Sequence, residues 1–142
     1  MLQNINKRRG GFTLVEIMIV VAIIALLATF AVPSFMRARL RTQATACKED
    51  LRQIDQAIDQ WAMENNKKKG DTPTGTDLAA YIKENSTLYT ALKASPIVDT
   101  LGSTINIPAL GSPLQVPKAT ADATVTVTGS DGTFWAPFTT GT

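Results

Sequence analysis

Hydrophobic and polar positions divide the chain into three stretches. From residue 12 to residue 32 the chain reads FTLVEIMIVVAIIALLATFAV, apolar apart from two threonines and one glutamate, Glu16. A helix of that length rises about 31 Å, enough to cross the hydrocarbon core of a bilayer. Soluble helices rarely stay apolar around their whole circumference for so long, so the pattern predicts a membrane-embedded helix. Pro33 interrupts the run and is expected to kink the helix axis. Beyond it, Leu40, Ala44, Cys47, Leu51, Ile54, Ile58 and Trp61 recur at alternating spacings of four and three. This is the apolar stripe of an amphipathic helix. The opposite faces carry Arg39, Arg41, Lys48, Glu49, Arg52, Asp55, Asp59 and Glu64. Pairing of Arg52 with Asp55 and Asp59, and of Lys48 with Asp55, is expected there. The stripe runs for only about three heptads and includes two small residues. It therefore predicts packing on the protein's own head rather than a free-standing coiled coil.

The helix predicted over residues 12–66 would be on the order of 80 Å long, too long to bury in a small globule. It should stop at Asn65-Asn66-Lys67-Lys68-Lys69-Gly70, with lysines at the negative helix end and Gly70 closing it in a left-handed conformation. The third stretch is rich in Thr, Gly, Ser, Ala and Pro. Thr76 or Asp77 is expected to cap a short helix to about Glu84, and a second helical piece should span 87–94. Thr104–Ile107, Ala123–Thr128 and Thr133–Ala136 alternate like strands, the last two joined by a turn at 129–132. Pro108, Pro113 and Pro117 keep 108–118 out of any central strand. The expected fold class is α+β, a long N-terminal helix whose second half packs on a small antiparallel sheet. The expected divisions are a leader at 1–11, a membrane and assembly half-helix at 12–33, an amphipathic half at 34–66, and a head at 67–142.

Composition narrows the chemistry. The 142 residues hold fourteen Lys and Arg against twelve Asp and Glu, with no histidine and one cysteine, Cys47. Lys7, Arg8 and Arg9 lie in the first eleven residues, which hold no acid, leaving eleven basic against twelve acidic residues beyond. Near-neutrality argues against a dedicated nucleic-acid binder. Without histidine the commonest general base and metal ligand are gone. A single cysteine builds neither an internal disulfide nor a multi-cysteine zinc site, and on the apolar stripe it reads as a buried, inert thiol. No nucleophile–base pair and no phosphate-binding loop is visible, so the chain reads as a non-enzyme. Three basic residues precede the apolar run and three follow it (Arg37, Arg39, Arg41), so their count leaves the orientation open.

Glu16 is the anomaly, because a carboxylate within an apolar span is costly unless it sits near the interface or finds a cation. Residues 7–16, KRRGGFTLVE, followed by the apolar run and Pro33, resemble the N-terminal signal of type IV pilins and type II secretion pseudopilins. The likeness covers roughly residues 5–40. It implies that a prepilin peptidase cuts between Gly11 and Phe12 and methylates the Phe12 amine. It further implies that Glu16 pairs with that amine on an adjacent subunit during assembly. A single-pass inner-membrane precursor would become a periplasmic or extracellular homo-oligomeric filament, together with related pilins or pseudopilins and an inner-membrane assembly platform. No cofactor is expected. Asp99, Asp122, Asp131 and Ser130 could donate oxygens to calcium, but their spacing is not dense. The runners-up are a DNA- or ligand-binding minor pilin, and a secreted domain behind an ordinary signal peptide with Thr29-Phe30-Ala31 as a poor cleavage site.

Overall fold

The structure, a computed structural model, describes residues 11–129 and 132–141. Lys7, Arg8, Arg9, Ser130 and Asp131 lie outside the described residues. The chain divides after Met36 into two units, and helix α1 (Leu14–Glu64) supplies residues to both.

In the first unit α1 stays helical through Pro33. Sixteen large apolar side chains from Phe12 to Met36 are each 50 to 83% exposed. The polar exceptions are satisfied locally. The Thr29 hydroxyl donates to the Leu26 carbonyl at 2.7 Å, and Ser34 donates to Phe30 at 3.2 Å. A hydroxyl turned back onto its own backbone leaves no unpaired donor facing an apolar solvent.

In the second unit the predicted stripe is the core from Ala44 onward, while Leu40 is only half-buried. Ala44, Cys47, Leu51, Ile54, Ala57, Ile58 and Trp61 are buried, and Leu78, Leu88, Leu92, Ile105, Leu114, Val116, Trp135 and Phe138 join them. Tyr81, Tyr89 and Phe134 pack at the margin of this core. Trp135 is 1% exposed and meets Phe134 edge to face with ring centroids 5.1 Å apart. Truncating such a side chain to alanine costs about 3–5 kcal/mol.

Helix α1 ends at Glu64, two residues before the expected 66, and the expected closing residue is corrected. Asn66, not Gly70, takes the left-handed conformation (φ 49°) that closes the helix, and Lys67 N–H reaches back to the Ala62 carbonyl at 3.0 Å. Gly70, at φ 103°, serves a different purpose. Its N–H donates to the Leu110 carbonyl at 3.0 Å while Leu110 N–H returns to Asp71 at 2.8 Å, clipping this turn to the later loop.

Short helices α2 (Gly75–Ala79) and α3 (Thr87–Lys93) follow. The first begins two or three residues earlier than expected and ends sooner. Thr74 caps it, accepting from Asp77 N–H at 3.3 Å while the Asp77 carboxylate accepts from Thr74 N–H at 2.9 Å. A side chain at Gly75 would strike the Leu92 carbonyl and the Ile97 side chain, so only glycine lets α2 sit against the end of α3. Ser86 caps α3, accepting from Tyr89 N–H at 3.1 Å.

The antiparallel sheet is corrected. Strands β1 (Gln115–Val116) and β2 (Thr139–Thr140) pair in parallel, in register Gln115–Thr139 and Val116–Thr140. The stretch 104–107 contributes only an isolated antiparallel bridge from Thr104 to Val98. The expected hairpin is helix α4 (Lys118–Thr128) and a 3-10 turn at Thr133–Trp135. The alternating threonines and valines misled because the helical spacing hides inside them. Thr120, Thr124 and Thr128, four apart, are buried, while Val125 is 39% exposed. The Thr124 and Thr128 hydroxyls donate to the Thr120 and Thr124 carbonyls at 2.8 and 3.0 Å, which lets polar side chains enter the core at no hydrogen-bond deficit.

Candidate assembly site

Phe12, Thr13 and Glu16 form the head of the apolar helix. Thr13 is the residue before the first helical position, Leu14, which makes Glu16 the third helical residue. The Thr13 hydroxyl oxygen accepts from Glu16 N–H at 3.2 Å. One carboxylate oxygen of Glu16, Oε2, accepts from Thr13 N–H at 2.9 Å and from the Thr13 hydroxyl at 3.0 Å. This is a capping box, and it also places a negative charge at the positive end of the helix dipole. The sequence signal, Thr-x-x-Glu ahead of an apolar run, is plain in Thr13-Leu14-Val15-Glu16 and was missed in favour of the charge alone.

The capping box leaves Glu16 exposed, with no cation beside it among the described residues. Its second oxygen, Oε1, accepts none of the hydrogen bonds made here. Phe12 precedes the helix and is 83% exposed. A Cβ at Gly11 would meet nothing within 4 Å, so the fold itself makes no demand for glycine there.

The other candidates belong to the second unit. Cys47 is fully buried, and its thiol donates to Asp99 Oδ2 at 3.6 Å. Burial above all, then the Asp99 charge, pushes the thiol up to about 12. Asp99 is buried too. Its Oδ1 accepts from Leu101 N–H at 2.9 Å and Ser103 N–H at 2.8 Å, and its Oδ2 accepts from the Thr120 hydroxyl. The proposed calcium ligand is thus the pin that fastens loop 98–104 to α1 and α4. Asp122 is exposed, and no group of three or more acidic, thiol or imidazole side chains is gathered among the described residues.

The three expected ion pairs are corrected. Arg52 pairs with Glu49 at 3.6 Å instead of with Asp55 or Asp59. Lys48 leaves the helix surface to donate to the Phe134 carbonyl at 2.6 Å, its ammonium 5.3 Å from the Phe134 ring centroid.

Comparison with known proteins bears on the same segment. The sequence pattern described as the prokaryotic N-terminal methylation motif matches residues 6–32. Over 53 residues the chain is 42% identical to the type IV major pilin protein PilA of Myxococcus xanthus, covering 37% of this chain and 24% of that one. Over 60 residues it is 37% identical to the type II secretion system core protein G of Pseudomonas aeruginosa, 42% of each chain. A fimbrial protein of Pseudomonas aeruginosa is 40% identical over 58 residues, 41% of this chain and 38% of that one. The chain thus matches only 24 to 42% of the length of these relatives. No solved structure matches it. The N-terminal segment is thus similar to the methylation segments at the start of type IV pilins and type II secretion pseudopilins.

Proposed function

We propose that this protein is a non-catalytic, pilin-like structural subunit of a type IV pilus or a type II secretion pseudopilus. The precursor spans the inner membrane once through the apolar part of α1, with its head outside the cytoplasm. A prepilin peptidase removes residues 1–11 and methylates the new amine of Phe12. An assembly platform then moves the subunit out of the bilayer, and its apolar helix is buried against those of other copies or related subunits.

One observation carries this reading. Sixteen large apolar side chains, Phe12 to Met36, are exposed on a helix whose head bears a lone carboxylate. Such a helix is stable only in lipid or against other apolar helices. Glu16 Oε1 is available to an amine, and a neighbouring Phe12 amine would neutralise the carboxylate once water is excluded. The indifference of the fold to a side chain at Gly11 supports an outside reader, since a peptidase gripping extended backbone favours glycine.

Mass mapping of the native mature N-terminus tests the proposal. It should begin at Phe12 carrying one methyl group. A mature chain beginning beyond Ala31, with the apolar helix gone, overturns it.

A further inference from the structure

Between Glu16 and Glu49 the chain holds no acidic residue, and its cations in that stretch are Arg37, Arg39, Arg41 and Lys48. Lys48 is taken by the Phe134 carbonyl. The three arginines are exposed, and their guanidinium groups make no ion pair or hydrogen bond among the described residues. The next acid along the helix, Glu49, is held by Arg52 at 3.6 Å. Arginine carries its donors in a rigid fork that suits two oxygens of one phosphate. Three such forks within about 6 Å of helix have no acceptor in their own chain.

Their place in the sequence says where the acceptor lies. Arg37 follows directly on Met36, the last of the exposed apolar side chains of the first unit. A helix over residues 14–36 rises about 33 Å, enough to span a hydrocarbon core of about 30 Å. Chain connectivity therefore puts Arg37 where lipid tails give way to headgroups. From Arg37 to Arg41 the helix rises about 6 Å, and the headgroup layer on each side is about 5–8 Å thick. All three arginines fall within that one layer. Arg52, about 22 Å beyond Arg37, falls outside it and finds its partner in the protein. At about 100° per residue Arg37 and Arg41 share one side of the helix and Arg39 lies on the other, so phosphates meet the rod from both sides. Small neighbours leave the forks clear. The shallow groove beside Arg41 is lined by Ala38, Thr42 and Thr45, whose hydroxyls are occupied by the Ala38 and Arg41 carbonyls at 3.1 and 2.9 Å.

We infer that Arg37, Arg39 and Arg41 form a collar that binds the phosphates of anionic phospholipids in the leaflet facing away from the cytoplasm. The inference rests on the single-pass reading above and adds a lipid partner to it. Cations on the non-cytoplasmic side weaken the charge bias that orients a span, and headgroup binding gives these three a use that offsets that cost. Loss of residues 1–11 would remove Lys7, Arg8 and Arg9 from the cytoplasmic face and leave the collar in place. The outer leaflet would then hold the mature chain by charge, and leaving the bilayer would require those phosphates to be given up.

The test uses the full-length chain in neutral maltoside micelles, with Lys7→Gln, Arg8→Gln and Arg9→Gln introduced throughout so that the leader binds no lipid by charge. Native mass spectrometry counts the lipid retained as phosphatidylglycerol or phosphatidylcholine is titrated in. Phosphatidylglycerol should be retained in preference to phosphatidylcholine. Each cation near an anionic surface strengthens association about fivefold. Arg37→Gln, Arg39→Gln and Arg41→Gln should therefore each weaken phosphatidylglycerol binding about fivefold, and the three together about a hundredfold, with phosphatidylcholine unchanged. Lysine at all three positions should keep most of the preference, because the charge survives and only the fork is lost. Inorganic phosphate in millimolar excess should not displace the lipid. Equal retention of the two lipids, or a triple glutamine variant that binds like its parent, overturns the collar and leaves the single-pass reading intact. Displacement by inorganic phosphate makes this a site for free anions and overturns the lipid assignment. A chain that stays soluble once detergent is removed overturns the membrane reading and the collar with it.

Discussion

The Cys47 thiol lies 3.6 Å from Oδ2 of Asp99, fifty-two residues further along the chain. That contact joins the buried stripe of α1 to a loop whose backbone N–H groups and neighbouring Thr120 hydroxyl already converge on the same carboxylate. A carboxylate buried without a cation is tolerable when such donors satisfy it. Placing a thiol there, rather than a second acid, avoids setting a charge against a charge.

The thiol should behave accordingly. Burial and Asp99 raise Cys47 from 9.0 to about 12, so the folded state holds the proton more tightly than the unfolded chain. The stability this confers is full below pH 9 and is lost as pH rises toward 12. Alkylation by iodoacetamide at pH 8 should be negligible in the folded protein and rapid after denaturation. Fast modification of the folded protein at that pH would contradict the buried assignment.

Asp50, half-buried beside this cluster, feels the opposite side of the same electrostatics. Burial first, then Asp99 and Glu49, push its carboxyl above the ordinary range. The folded state therefore loses stability as pH rises past the unfolded value of 3.8. Asp50→Asn should stabilise the protein at pH 7, and the gain should vanish below pH 3.8. Thermal unfolding of wild type and variant at the two pH values checks it; a variant less stable at pH 7 would show that Asp50 has a favourable contact.

The legibility of the sequence follows how each residue is stabilised. The buried side of α1 was readable from Ala44 to Trp61 because apolar burial alone decides it, and burial leaves a period in the sequence. Helix α4 was not readable, because threonines carry its inner face and valine lies outside, held by hydroxyls that return to the backbone or reach Asp99. Only the recurrence of threonine every fourth residue pointed that way. At the head of the apolar helix the charge of Glu16 drew attention and the cap did not, although a capping box is a local pattern needing no tertiary information. The loop clasp around Asp99 was beyond reach, since its donors come from residues 47, 101, 103 and 120, and only the folded chain gathers them.

Gly11 offers a clean separation of folding from processing. Because a Cβ there meets nothing within 4 Å, Gly11→Val should leave the spectrum and thermal stability of the precursor unchanged. Under the proposed cleavage it should nonetheless accumulate uncut in the membrane, visible as the heavier band on a gel. Efficient processing of that variant would remove Gly11 as the residue preceding the cut.

Glu16 carries two roles that different substitutions can part. Glutamine keeps a side-chain carbonyl for the N–H of Thr13, so Glu16→Gln should hold the first turn of α1, whereas Glu16→Ala loses the cap at a cost of about 1 kcal/mol. Neither should block membrane insertion or cleavage, since the apolar run is untouched. The two variants should differ in the order of the first helical turn, read by amide hydrogen exchange in micelles. They should agree in filament yield, both falling at least about tenfold, because an amide cannot neutralise a neighbouring ammonium. Should the glutamine variant assemble as well as wild type, the cap would be the whole function of Glu16, and the pairing with the Phe12 amine would have to be abandoned.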